Sequence, residues 1–434
     1  MKNPGSRDEK EEGSTAPYFE EDHMKKRNWY SAAILVTAGM LCLSAAACGQ
    51  KTEETKAAMS GEEKTAGQKS GVGTEKETEE TLDYENMTAE ELIQDYEGQE
   101  KLSDEDFVRL TSTYRYVPIT ENLELDYSKD ITGKAFQLLD DQGIEYHCSE
   151  ASMKALLGSE YPQVRGKGFE WMPDLFGLSD ANAALAKEAL KTEKDPYVLK
   201  AAIQALGNEG GANPDVAAFL LAMAKHENPR VREQAAAWIG SPWNQSMEGA
   251  VEAELSLMQD EDNNVAKMAC EYSGALGDDR FIAPLGEILD DNTRYELHSA
   301  CMDSLARMWL DYPSHENTNP EAYRVSMEYL KKTPRDANVP AWAAISTLCD
   351  ISEDSFRGWK EKADYYDAAE LIAAMTEIIK DPDAAWLSRS SAIQAVKSHG
   401  GKEALEALKP VVDGLTDKDA ERLQSMFETL EQEN

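Results

Sequence analysis

From Pro162 to about Leu415 apolar residues recur at helical spacing, and that pattern itself repeats at a longer interval. The stretch DPYVLKAAIQALG at 195–207 aligns with NPRVREQAAAWIG at 228–240. In each, Pro stands two residues before a Val, a small residue four after it, an aliphatic residue eight after it and Gly nine after it. The same frame puts Val164, Val198, Val231, Val265 and Leu297 in register, with steps of 34, 33, 34 and 32 residues. Looser copies follow around Pro340 and Ser388. Positions 0, 4 and 8 of the frame share one face of a helix. A first helix is therefore predicted in every copy, started by Pro, whose missing N–H is harmless there. Gly207 and Gly240 are expected to close their helices by taking a positive φ. Amphipathic second helices are predicted at 183–191, 216–226, 249–259, 281–291, 320–332, 366–380 and 402–414. Such a pair has more apolar face than it can cover alone, so the pairs must stack into a solenoid.

Residues 84–150 read as an irregular helical cap on this array. Thr88 and Glu91 form a capping-box pattern, and Ser103 followed by Asp104, Glu105 and Asp106 marks a second helix start. The run YRYVPITENLELDY at 114–127 has β-type residues interrupted by Pro118, which predicts extended chain or an edge hairpin. Residues 151–434 then make up the repeat domain.

Upstream the pattern changes twice. Residues 49–81 hold no aromatic residue and no Leu, Ile or Phe, so they cannot bury enough apolar surface to offset chain entropy. These 33 residues span roughly 30 Å as a coil and roughly 110 Å fully extended, and with residues 48, 82 and 83 they make up a tether (48–83). Residues 24–47 have the three parts of a secretory signal: Lys25-Lys26-Arg27, an apolar run from Trp29 to Leu43, then Ser44 to Ala47. A cysteine follows Ala45-Ala46-Ala47 directly. This resembles the lipobox of bacterial lipoproteins, although Ala45 stands where that pattern more often has Leu. The resemblance implies a lipid on Cys48, cleavage just before it, and a protein anchored to the bacterial cell membrane on its extracytoplasmic face. The acidic segment 1–23 is out of place before a signal, and Met24 is the expected start. The alternative is an uncleaved single span at 29–47, which Lys25-Lys26-Arg27 would also orient.

Charge narrows the partners. The 434 residues carry 82 Asp and Glu against 44 Lys and Arg, a formal net charge of −38. Nucleic acid binding needs clustered basic surface, so this balance argues against it and fits a soluble face steered toward a basic partner. Six cysteines form no C-x-x-C pair, and neither a zinc site nor a disulfide framework is indicated. Cys270 and Cys301 occupy small or apolar positions of first helices, where free thiols act as small hydrophobes. The pair His147-Cys148 has no partner at ligand spacing, and the acidic runs 260–264 and 290–292 lack the order of a calcium loop; caps and turns are expected instead. Hydrolase, metalloprotease, phosphate-loop and dinucleotide patterns are absent from the sequence. No enzyme activity, catalytic residue, metal or cofactor is expected.

The repeated residues resemble HEAT repeats, including the HEAT-like repeats of phycobilin lyases, over about residues 160–415. The Asn/Asp-Pro-x-Val-Arg signature is complete at 228–232. The resemblance implies an all-α, right-handed solenoid with first helices outside and second helices lining a concave face, and a protein-binding or scaffolding role. A lyase-type enzyme stands further back, because no cysteine or carboxylate matches a lyase site. A ligand- or peptide-binding lipoprotein that uses the concave groove is the other alternative; a deep apolar groove would favour it, and a broad acidic one a protein partner. Trp171, Trp238 and Tyr272 fall seven residues after their Val, next to the core face, and are expected to pack. The stretches 309–323 and 351–366 lengthen the turn between first and second helices, which places them on one edge of the solenoid. Trp309, Tyr312, Phe356, Trp359, Tyr365 and Tyr366 are therefore candidates for a partner-binding ridge, with gap-filling between irregular units as the alternative.

Overall fold

A computed structural model of the chain describes residues 83–176, 180–309, 319–332, 341–349 and 363–432. The chain divides after Glu80, and all of these residues belong to the unit Thr81–Asn434. The segments 1–23 and 24–47, Cys48 and nearly all of the tether lie outside the described residues, as do Tyr312, Pro340, Phe356 and Trp359.

The cap holds four helices: α1 (Ala89–Ile93), α2 (Asp104–Ser112), α3 (Ile131–Gln142) and α4 (Glu150–Leu157). Thr88 and Glu91 close the anticipated capping box on α1, and the Ser103 side chain accepts from the Asp106 N–H at the start of α2. The expected hairpin at 114–127 shrinks to one antiparallel bridge between Ile119 and Leu125, with 3-10 turns at Thr113–Tyr116 and Tyr127–Lys129. Pro118 leaves no donor to extend the pairing.

Among the described residues seven helix pairs follow. The first helices are α5 (Pro162–Phe176), α7 (Pro196–Leu206), α9 (Pro229–Ile239), α11 (Asn263–Leu276), α13 (His298–Trp309), α15 (Trp342–Ser346) and the first part of α17 (Trp386–Asp413). The second helices are α6 (Asp180–Leu190), α8 (Pro214–Met223), α10 (Ala250–Leu257), α12 (Ile282–Asp290), α14 (Pro320–Lys332), α16 (Ala368–Lys380) and the part of α17 beyond Gly401. Gly401 breaks α17 with φ 65° and ψ −158°, so one apparent helix is the last pair. A final helix, α18 (Ala420–Gln432), covers its end. Each first helix packs on the next from α5 to α17, and the frame residues at 0, 4 and 8 are buried. Val198, Ala202, Val231, Ala235, Ile239, Val265, Ala269, Leu297, Cys301 and Leu305 have no solvent exposure. Among the described residues the fold is all-helical, with only isolated β-bridges.

Two recurring contacts fix the spacing between pairs. Arg165 and Arg232, one residue after the frame Val, bridge the same two places in their units. Arg232 forms a two-pronged ion pair with Asp260, at 2.7 and 2.8 Å, and donates to the carbonyls of His226 and Glu227. Arg165 does the same with Glu193 and the carbonyls of Ser159 and Glu160. Arg389, fully buried, pairs with Asp417 at 2.7 and 2.9 Å and donates to the Ile379 carbonyl. Arg165 and Arg232 thus tie down carbonyls of the turn that leads into their own helix, while Arg389 satisfies Ile379 in the last turn of α16, where a carbonyl has no partner within its helix. His298 holds this position in the fifth unit and links the Asp291 carbonyl to the Tyr329 hydroxyl, both at 3.2 Å. The acidic turns serve as caps and ion-pair partners: Asp262 caps α11 and Asp291 caps the 3-10 turn at Asn292–Leu297.

The second contact corrects an expectation. Gly207 and Gly240 do not take a positive φ; theirs are −59° and −76°. Glycine is required there because the next pair comes too close for a side chain. A Cβ at Gly207 would lie 2.2 Å from the Trp238 ring, and one at Gly240 would lie 2.6 Å from the Tyr272 Cβ. Gly274, inside α11, meets the Ser304 backbone in the same way at 2.6 Å. Position nine of one unit thus receives position seven of the next. Positive φ at a helix end appears instead at Gly277, at 66°.

Candidate binding groove

The helices α12 and α14 lie side by side as second helices of neighbouring units. Ile282, Leu285, Ile288 and Leu289 turn inward on α12, as do Ala322, Tyr323, Met327 and Leu330 on α14. Helical spacing then sends Ala283, Gly286, Glu287 and Asp290 to the outer face of one, and Glu321, Arg324, Val325, Glu328 and Lys332 to that of the other. Between these faces runs a groove of about 460 Å³. Its floor is small and apolar, from Ala283, Gly286 and Val325, with the Tyr329 ring beneath. Asn319 closes one end: its side chain caps α14 through the N–H groups of Glu321 and Ala322 and donates to Asp279 at 2.6 Å.

Charge on the rim is unequal. Arg324 is held by Glu321 and Glu328 on its own helix, and Lys332 lies 3.6 Å from Asp290 and 3.9 Å from Glu328. Glu287 is exposed and has no hydrogen-bond or ion-pair partner among the described residues. The groove can therefore accept a cation above a narrow apolar strip, and it gathers no nucleophile with an oriented base.

The model for the family described as HEAT repeats matches residues 149–239 and 217–306. Residues 149–306 form a HEAT-repeat domain. Beyond it the same helix pairing continues to α17, so the HEAT-like array extends past the matched residues. No curated protein sequence matches the chain. Two engineered proteins solved by the Northeast Structural Genomics Consortium are similar to it. One is 13% identical with a TM-score of 0.29, over 79% of this chain and 98% of that one. The other is 17% identical with a TM-score of 0.19, over 64% and 96%.

The aromatic residues of the HEAT-like array fall into two sets. Trp171 stands against Phe107 and Phe136 of the cap, with ring centroids 5.4 and 5.2 Å apart, while Trp238 and Tyr272 fill the glycine notches described above. Trp309 does not sit on an exposed ridge: it is 1% exposed. Its place at the end of α13 faces α14, and its indole N–H donates to the Ser326 hydroxyl at 3.2 Å. Tyr365 and Tyr366 are half-buried. The Tyr365 hydroxyl donates to the Trp309 carbonyl at 2.5 Å, and Tyr366 shares a 2.9 Å hydrogen bond with His399. The four rings of Trp309, Tyr323, Tyr365 and Tyr366 interlock. Trp243, by contrast, is 56% exposed in the 3-10 turn Pro242–Asn244 between α9 and α10. Buried Asn244 pins that turn to the Gly207 and Trp238 carbonyls at 2.7 Å each. An aromatic residue inside a Ser-Pro-Trp-Asn turn was the available sequence signal, but the periodic frame passes over it.

Other sequence candidates fall inside the fold. Cys148 is 1% exposed and its thiol is pushed up to about 12 by burial, which makes it unreactive. Cys270 and Cys301 are free and fully buried. Among the described residues no group of three or more His, Cys, Asp or Glu is placed to hold a metal, and no helix is long and apolar enough to cross a membrane.

Proposed function

We propose that this protein is a lipid-anchored, extracytoplasmic scaffold that binds another protein through the outer faces of its second helices. The observation that carries the reading is the stitched stack itself. Guanidinium bridges and glycine notches hold successive pairs at fixed spacing, and α12 and α14 present an open, charged groove to solvent. HEAT repeats generally mediate contacts between proteins, and stacked repeats provide extended binding surfaces. The acidic balance of the chain supports a basic protein partner over nucleic acid. Binding without catalysis is the role proposed. A small ligand is a weaker second reading, because the groove is open and rimmed with charge where small-molecule sites are mostly enclosed and apolar.

Support for the anchor comes from the basic cluster at 25–27, the short apolar run and Cys48. The test is expression in a bacterial host with and without Cys48→Ala, followed by lipid labelling, membrane fractionation and protease access to intact cells stripped of any outer barrier. Labelling and surface exposure that disappear with Cys48 are the expected result. A protein that stays in the membrane with its C-terminal domain protected would place the repeats in the cytoplasm and overturn the reading.

A further inference from the structure

We infer that the groove between α12 and α14 receives a basic segment of a partner protein, with a Lys or Arg stem lying on its floor and the cationic head at Glu287 and Asp290. This rests on the protein-binding reading above. The rim brings Asp279, Glu287, Asp290, Glu321 and Glu328 against only Arg324 and Lys332. Both cations are already engaged. Arg324 reaches two carboxylates of its own helix, and Lys332 is shared between Asp290 and Glu328. Glu287 and Asp290 stand one turn apart on α12, so their carboxylates fall on the same face.

The floor supplies the second half of the argument. Ala283 and Gly286 leave α12 without bulk there, and a Cβ at Gly286 would already lie 3.1 Å from Val325. A long side chain with an apolar stem and a charged end fits this combination. An acidic segment would meet Glu287, which no cation here neutralises, on a rim of five carboxylates to two cations, and a purely apolar one would leave Glu287 to be desolvated without a partner. Attraction to such a rim acts mainly on encounter rate and selectivity and weakens as salt rises.

The experiment uses the full chain and a fluorescein-labelled decapeptide of alternating Lys and Ala, with the Glu-Ala peptide as counterpart, read by fluorescence anisotropy. The native protein should bind the Lys-Ala peptide in a salt-dependent way and ignore the Glu-Ala one. Glu287→Lys with Asp290→Lys should weaken binding about 10-fold or more. Asp140→Lys with Asp141→Lys makes the same charge change on exposed positions of α3 and should leave most of the affinity intact. Gly286→Leu fills the floor without changing charge and should also weaken binding. Circular dichroism and melting are recorded for every variant; should Gly286→Leu fail to fold, the exposed pair on α12 still decides. Absence of binding by the native protein, equal loss in both charge-reversed pairs, or full retention in the α12 pair would each overturn the inference. If a partner crosslinked in the host is retained equally by the native protein and the α12 pair, the groove assignment falls and the scaffold reading stands.

Discussion

Asp417→Ala should cost about 3–5 kcal/mol, because it strands a guanidinium that has no access to water. Arg389 is 0% exposed, and its remaining partner would be the Ile379 carbonyl at 2.8 Å. The Arg389 hydrogen bond holds the Asp417 carboxyl down at about 2, below its ordinary value of 3.8. That depression corresponds to about 2 kcal/mol, reduced to roughly 1 by screening on the open side of the carboxylate. The rest of the predicted loss is the desolvated Arg389. Asp417 is lowered in the folded state, so its contribution is complete above about pH 4 and fades as pH falls toward 2. Glu321→Ala is the comparison: its pair with Arg324 is more than half exposed on both sides, so its loss should be far smaller. Urea unfolding followed by circular dichroism gives the overall loss. Hydrogen exchange on α17 and α18 shows whether the end of the array opens first, as a repeat stack permits. Replacing both partners by apolar residues, Arg389→Met with Asp417→Leu, should recover most of the loss. A loss no larger than that of Glu321→Ala, or a double variant as unstable as the single one, would refute the reasoning.

Three further outcomes follow from the packing. Gly274→Ala would ordinarily favour a helix, yet here it should destabilise by about 1–3 kcal/mol because its Cβ meets the Ser304 backbone at 2.6 Å; a raised melting temperature would contradict this. Glu254 is fully buried, neither carboxylate oxygen makes a well-formed hydrogen bond, and burial, with Cys270 adding to it and the Gly240 N–H opposing it weakly, holds its pKa well above the usual range. Its folded state favours the proton, so its effect on stability is best below about pH 4.5 and worsens from there as pH rises toward its raised folded-state value; Glu254→Met should gain about 1–4 kcal/mol near neutrality and flatten that dependence, read by urea unfolding at pH 5 and pH 8. Trp309→Ala should cost about 3–5 kcal/mol, since it empties the cluster that Tyr323, Tyr365 and Tyr366 close; unchanged urea unfolding would return Trp309 to the surface.

The sequence alone determined the helix pairs. The periodic frame located the second helices at 281–291 and 320–332, and the structure has α12 at 282–290 and α14 at 320–332. The caps at Thr88 and Asp262 were equally legible, because a cap depends on two or three adjacent residues. Tertiary structure decided what spacing does not encode: the distance between one pair and the next. Sequence placed Gly207 and Gly240 at helix ends but could not tell a positive φ from a missing side chain, since the reason is Trp238 and Tyr272 of the following unit. Trp309 stands next to a long turn in the sequence, and only the docking of α14 buries it. Glu254 sits on an amphipathic helix whose buried arc proved wider than its pattern suggested. The groove belongs to the same class, because Gly286 and Val325 are 39 residues apart in the chain and face each other only after two pairs have stacked. Periodicity fixes which residues share a face; the depth to which that face sinks is set by the neighbour that covers it.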